Sequence, residues 1–287
     1  MANLLDIRRR IKSVKNTQQI TRAMKFVATA KLQKAQARVF AARPYARHML
    51  TVVNRLTRRM EDLSHPLMRD TGDSKILLVV VTGDKGLCGA FNANILRASH
   101  AFMAERPDVA FALDTVGKKG YEHFKRRRYE LEAWYVDELA RVDLGLAHRV
   151  AEPVLESFIR GEYDRVFLIY NEFKSVIQQR IVVEQLLPIA ELELGEEGEE
   201  PVGVDYLYDQ PRGEICEDVF SRHALVQIYH ALLESTAAEQ GARMAAMESA
   251  TKNAGEMIDR LVMFRNRVRQ AAITKEIIEI VSGANAL

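Results

Sequence analysis

Apolar and small side chains recur at steps of three and four along residues 1–60 and again along residues 212–287, which commits both ends of the chain to long helices that need a partner. From Ile7 the first stripe runs through Ile11, Val14, Gln18, Thr21, Lys25, Ala28, Leu32, Ala35, Val39, Ala42, Ala46, Met49, Val53, Leu56 and Met60, and only Gln18, Thr21 and Lys25 break it. Its mean step of about 3.5 residues is that of a narrow coiled-coil seam, not of the broader face a helix presents to a globular core. Pro44 lies inside the run, removes a backbone donor and predicts a kink or break near Ala41 to Pro44. The second stripe passes through Leu233, Ala237, Gln240, Met244, Met247, Thr251, Ala254, Ile258, Leu261, Arg265, Val268 and Ala272, with no proline after Pro211. Gly241 and Gly255 each cost about 1 kcal/mol against alanine in a helix. Ala238, Ala242, Ala245, Ala246 and Ala250 offset part of that and leave room for a second helix to approach closely.

At 1.5 Å per residue the two helices are about 80 and 105 Å long, so they cannot match end to end. Antiparallel pairing within the chain leaves the C-terminal helix overhanging as a single-helix tip.

Between them, residues 75–205 read as a separate α/β domain. Lys75–Thr82, Val109–Val116 and Arg165–Tyr170 are short apolar, β-branched runs. Helical stretches near Ala93–Glu105, Lys118–Arg127 and Leu144–Arg160 alternate with them, the pattern of a mostly parallel, Rossmann-like sheet covered on both faces. Ser175–Leu187 supplies a hairpin return strand, and the acidic, glycine-containing Leu192–Pro201 stretch reads as a solvated linker. The expected fold class is therefore α/β plus a long antiparallel coiled coil, with residues 1–60 paired against residues 212–287.

Chemistry is hard to find. The glycine-rich turn Thr82–Asn92 follows a strand and precedes a helix, where backbone N–H groups meet phosphates. Its glycines at 83, 86 and 89 fit neither the phosphate-loop nor the dinucleotide spacing. His48, His65, His100, His123, His148, His223 and His230 are scattered without a paired-ligand spacing, and Cys88 and Cys216 form no metal motif or disulfide framework. Glu276 and Glu279 share a helix face, which an exposed helix does by default. No catalytic residue, cofactor or metal is expected. The longest apolar run, Ile76 to Val81, is strand-sized and far short of the roughly 20 residues a membrane-spanning helix needs.

Basic residues number 41 against 39 acidic, a net charge of +2, so only local clusters could recognise a polyanion. Arg8, Arg9, Arg10, Lys12 and Lys15 form one such cluster, and Arg260, Arg265, Arg267 and Arg269 another. They lack interleaved aromatics, which favours a solvated face or a docking belt for acidic protein loops over a nucleic-acid grip. A coiled-coil nucleic-acid binder and a nucleotide-binding protein remain as alternatives. The basic, amphipathic start resembles a transit peptide in composition, but the helical stripe continues through it, which assigns it to the mature fold.

Three segments together, Arg9–Met24, Gly86–Asn92 and Ile273–Ala286, resemble the gamma subunits of F-type ATP synthases, and the likeness extends over essentially the whole chain. The resemblance implies a central stalk: paired terminal helices inside a ring of three alpha and three beta subunits, with the α/β domain below. The foot then rests on the epsilon subunit and the membrane c-ring, so that proton or other ion flow turns the stalk. The chain itself makes or breaks no bond. By motif match, Arg269 and Gln270 address a beta-subunit loop, Thr274 and Glu276 lie in the signature helix nearby, and Met24 sits on the facing helix. Lys85 and Cys88 belong to a loop that approaches a beta subunit. The resemblance also implies a location on the cytoplasmic face of a bacterial inner membrane. Redox-regulated photosynthetic members carry an inserted cysteine pair before the second long helix, whereas Cys216 stands alone, so no thiol switch is expected.

Overall fold

A computed structural model describes residues 4–58, 65–176, 178–189 and 212–284. Helix α1 spans Leu4–Arg58 and helix α5 spans Arg212–Ala284, 55 and 73 residues respectively. They pack against each other along the predicted seam. Ile7, Ile11, Thr21, Ala28, Leu32, Ala35, Val39, Val53 and Leu56 are buried, and Val14, Gln18, Lys25, Ala42, Ala46 and Met49 are partly so. On α5 the matching line is Leu233, Ala237, Gln240, Met247, Ala254 and Ile258. Met60 and the acidic stretch Leu192–Pro201 lie outside the described residues.

The three polar residues that interrupt the first stripe meet polar partners on α5. Thr21 Oγ1 and Thr251 Oγ1 are 2.8 Å apart, Gln18 Nε2 donates to the Thr251 carbonyl at 3.4 Å, and Lys25 Nζ donates to Glu248 Oε1 at 2.7 Å. Gly255 belongs to the same layer, since a Cβ there would lie 3.1 Å from Gln18 Nε2. Apolar seams slide at little cost, and a polar layer of this kind fixes one register. These pairings set the antiparallel alignment: Thr21 opposes Thr251, and by the same count Leu4 falls opposite Val268.

Helix α1 does not break at Pro44. Pro44 is exposed, on the side away from α5, while Ala42 and Ala46 are half-buried. The proline ring therefore packs against nothing on the α5 side, and seam packing holds the helix on either side.

The middle forms a five-stranded sheet of β1 (Lys75–Val81), β2 (Ala110–Val116), β3 (Leu131–Tyr135), β4 (Arg165–Phe173) and β5 (Gln179–Leu187), in the order β3-β2-β1-β4-β5. All neighbours are parallel except β4 and β5, which form the expected hairpin. Helices α2 (Phe91–Ala104), α3 (Lys118–Arg126) and α4 (Leu144–Ile159) connect the strands. Strands β1 and β4, buried along nearly their whole length, take the centre because they carry continuous apolar runs. The same apolar core includes Leu32, Val39 and Val53 of α1 and Phe220, Ala224 and Leu232 of α5, so the sheet is built directly onto the paired helices.

Candidate functional site

Two surfaces on the shaft carry the residues singled out in the sequence. The first is the overhang. Past Val268, α5 has no residue of α1 opposite it, and Arg269, Gln270, Thr274 and Glu276 are all exposed there. The same segment exposes Ile273, Ile277, Ile278, Ile280 and Val281, with Ile280 reaching 71%. Ile273, Ile277 and Ile280 repeat the same three-four spacing beyond the end of the partner helix, one position round from the seam that runs through Val268 and Ala272, giving an apolar stripe that α1 does not cover. At the base of the overhang, the antiparallel alignment brings Arg8–Lys12 level with residues 260–264, so the two basic clusters form one collar.

The second surface is the loop from Gly83 to Ala90. Its position is fixed from several sides. Asn92 Oδ1 accepts from the Gly83 N–H at 2.8 Å, and Asn92 Nδ2 donates to the Lys85 carbonyl at 3.4 Å. Asp84 accepts from the N–H groups of Lys118, Asp137 and Leu139, tying together three loops beyond the strands' C-terminal ends. Arg243 of α5 donates to the Gly86 carbonyl at 3.4 Å and pairs with Glu239. A Cβ on Gly83 would lie 2.8 Å from Glu239 Oε1, so a side chain there would push the Glu239 carboxylate away from the loop.

Lys85 and Leu87 point outward, with Leu87 at a φ of 62° and 62% exposed. Cys88 is 2% exposed and points inward, with Sγ 3.7 Å from the Lys85 carbonyl. Burial, reinforced by Glu239, pushes its thiol above the ordinary cysteine range. Cys88 thus packs the loop from beneath, and Leu87 is the outward residue the motif match did not single out.

Loop and tip are separate. Gly89 lies against Ala246, about 35 Å along the helix from Arg269. Met24, half-buried and next to Lys25, stands at the level of Glu248, closer along the shaft to the height of the loop than to the tip.

A family model described as ATP synthase matches residues 3–287. An ATP synthase gamma chain from Geobacter metallireducens is 46% identical over 100% of this chain and 99% of its own length, and one from Anaeromyxobacter sp. (strain K) is 47% identical over 100% of both. The chain belongs to the ATP synthase gamma chain family. Among solved structures, a Tetrahymena thermophila mitochondrial ATP synthase central stalk/c-ring chain is 30% identical, with a TM-score of 0.63 over 80% of this chain and 99% of that one. A rotor chain of the Euglena gracilis mitochondrial ATP synthase, 19% identical with a TM-score of 0.67 over 94% of this chain and 98% of that one, shares the fold.

The N-terminus of α3 is capped by the Asp84 carboxylate, which accepts from the Lys118 N–H at 2.9 Å. The matching family model and relatives are those of ATP synthase gamma chains, and they give the nucleotide-binding alternative no support. Among the described residues no group of three His, Cys, Asp or Glu is placed to hold a metal ion, and no helix is long and apolar enough to cross a membrane.

Two of the scattered histidines do meet: His100 and His123 Nε2 are 2.8 Å apart. Arg127, which can only donate, contacts His123 Nδ1 at 3.1 Å, so His123 carries its proton on Nε2 and donates to His100, whose Nδ1–H faces Tyr129 Oη at 3.2 Å. Burial, with the Arg127 charge, lowers the affinity of both rings for a second proton, His123 to a pKa of about 4. This neutral chain ties α2 to α3 and to Tyr129. Their separation in sequence hid it.

Proposed function

We propose that this chain is the non-catalytic central rotor shaft of an F-type ATP synthase, converting rotation driven by transmembrane proton or ion flow into conformational change at catalytic sites on other subunits. The observation that carries this reading is the unequal helix pair: an antiparallel shaft with a bare C-terminal segment on which the family signature lies. A shaft inside a ring of three alpha and three beta subunits needs a face that differs from one side to the next, and a single overhanging helix provides one. The α/β domain, built onto one side of the same helices, turns with them.

In this reading Arg269 and Gln270 meet one beta subunit at a time, Thr274 and Glu276 act just beyond them, and the basic collar faces acidic loops of the ring. Met24, Lys85 and Leu87 form a second contact level lower on the shaft, with Cys88 packing that level from within. Each contact has to form and release as successive beta subunits come round. A charge-assisted hydrogen bond of about 1.5–3 kcal/mol biases such an equilibrium roughly ten- to hundredfold without locking it. The uncharged run from Val281 onward suits a bearing surface. The foot contacts the epsilon subunit and the c-ring, and the whole sits peripherally on the cytoplasmic face of the bacterial inner membrane.

Mixing the purified chain with alpha and beta subunits tests this. One copy per three beta chains, with no ATP turnover by the chain alone, is the expected result. Robust ATP hydrolysis by the isolated chain, or salt-sensitive DNA binding in place of assembly, would overturn it.

A further inference from the structure

Where the sheet meets the paired helices, one ion pair grips the main chain of a strand. Glu234 of α5 has a side chain only 1% exposed. Its Oε1 accepts from Arg43 Nε at 3.1 Å and Nη2 at 2.9 Å and lies 3.2 Å from His230 Nε2. Its Oε2 accepts from the Phe173 N–H at 3.0 Å. Arg43 Nη2, from α1, also donates to the Phe173 carbonyl at 3.2 Å. Both polar groups of Phe173, the last residue of β4, are thus held by a pair formed between the two shaft helices. Burial alone would raise the Glu234 carboxyl, but hydrogen bonds from His230, the Phe173 N–H and Arg43 outweigh it and hold the group below the usual range, hence ionised.

Away from this pair, Arg38 of α1 donates to the Val142 carbonyl at 3.2 Å and Arg243 of α5 to the Gly86 carbonyl at 3.4 Å, both on loops. Against the strands, the helices meet the sheet chiefly through apolar packing, which is non-directional. It resists separation of the sheet from the helices far better than it resists their rolling or sliding past each other. Charge-assisted hydrogen bonds, here two from Arg43 converging on Glu234 Oε1, have fixed directions and supply resistance to rolling and sliding at the strand itself. We infer that Glu234 and Arg43 are positioning residues that lock the α/β domain in rotational register with the two-helix shaft, so that torque passes between them without slip. The inference rests on the rotor reading and adds to it the place where load crosses from sheet to shaft.

The test uses the ATP synthase complex reconstituted in lipid vesicles, with ATP hydrolysis measured with the ion gradient dissipated and ATP-driven proton uptake measured with it intact. Glu234→Gln keeps the side chain's shape but has one acceptor oxygen, which cannot serve both Arg43 and the Phe173 N–H. Arg43→Lys keeps the charge but loses the fork. For both variants the expected result is hydrolysis within about twofold of wild type and protons moved per ATP reduced about threefold or more. A wild-type proton-to-ATP ratio in both would overturn the inference even if the melting temperature fell, because the pair would then serve stability alone. Failure of both variants to assemble while the wild type assembles counts against it in the same way. A wild-type chain that neither assembles nor couples would instead overturn the rotor reading.

Discussion

The apolar stripe on the overhang gives the sharpest quantitative prediction. Ile277 and Ile280 are 55% and 71% exposed, on a helical segment with no residue of α1 opposite it. Replacing both by serine removes apolar surface without removing an intrachain partner, and isoleucine and serine have similar helix propensities, so the isolated chain should keep its stability within about 0.5 kcal/mol. Enclosure by a ring changes the sum. Fully burying an isoleucine contributes about 1.5–3 kcal/mol, and since half or more of each side chain is still open to water, roughly 1–2 kcal/mol per residue remains to be gained on assembly. The double variant Ile277→Ser/Ile280→Ser should therefore bind the alpha–beta ring about 30- to several hundred-fold more weakly. The assay is a titration of labelled chain with preformed ring, alongside thermal melting of the chain alone. Unchanged affinity would refute the enclosure of the tip. A large drop in the melting temperature of the isolated chain would refute the finding that, among the described residues, none of α1 covers the stripe.

Four further outcomes are expected. Arg269→Ala with Gln270→Ala, on exposed positions, should leave the isolated chain folded and weaken coupling or assembly; unchanged assembly and ATPase would remove the tip contact. Met24→Lys places a second cation beside Lys25 at the seam and should impair coupling, and ATP-driven proton pumping equal to wild type would count against that. Gly117→Ala should destabilise the α/β domain by more than about 3 kcal/mol in urea unfolding, because its Cβ would lie 2.2 Å from the Thr82 carbonyl oxygen at a φ of 104°. Asp114 is pushed up to about 7, chiefly by burial and further by Glu132, against a hydrogen bond from the Ala133 N–H. The folded state therefore keeps a proton that the unfolded chain releases above about 4, and stability should fall by up to roughly 4 kcal/mol as pH rises from about 4 to about 7. Asp114→Asn should flatten that decline; an identical pH slope in the variant would exclude Asp114 as its source.

The seam was legible because burial follows a periodicity that side chains alone reveal: Ile7, Ile11, Ala28, Leu32, Ala35 and Val39 are buried at the predicted positions. The central strands were legible for the same reason, since Ile76–Val81 is apolar throughout and lies inside the sheet. Strand β3 was not. Leu131–Tyr135 is a short edge strand of alternating half-burial, and nothing in five residues separates it from a loop. Gln18, Thr21 and Lys25 stood out as interruptions, but their meaning depended on Thr251 and Glu248, more than 220 positions away. Arg43 and Glu234 were invisible for a similar reason, since the peptide they hold belongs to a third element. At Pro44 the expected break does not occur, since helix α1 runs on past an exposed proline with seam residues packed on either side of it. Motif matching drew attention to Cys88 in the loop, whereas side-chain direction separates the inward thiol from the outward Lys85 and Leu87.

A rotor shaft has to turn as one body inside a fixed ring. With the alpha–beta ring immobilised and a visible probe attached to the α/β domain, the orientation of the probe is followed while ATP is hydrolysed. Unidirectional rotation with three stops per turn is the predicted result, and ATP hydrolysis at a normal rate with the probe held at one orientation would contradict it.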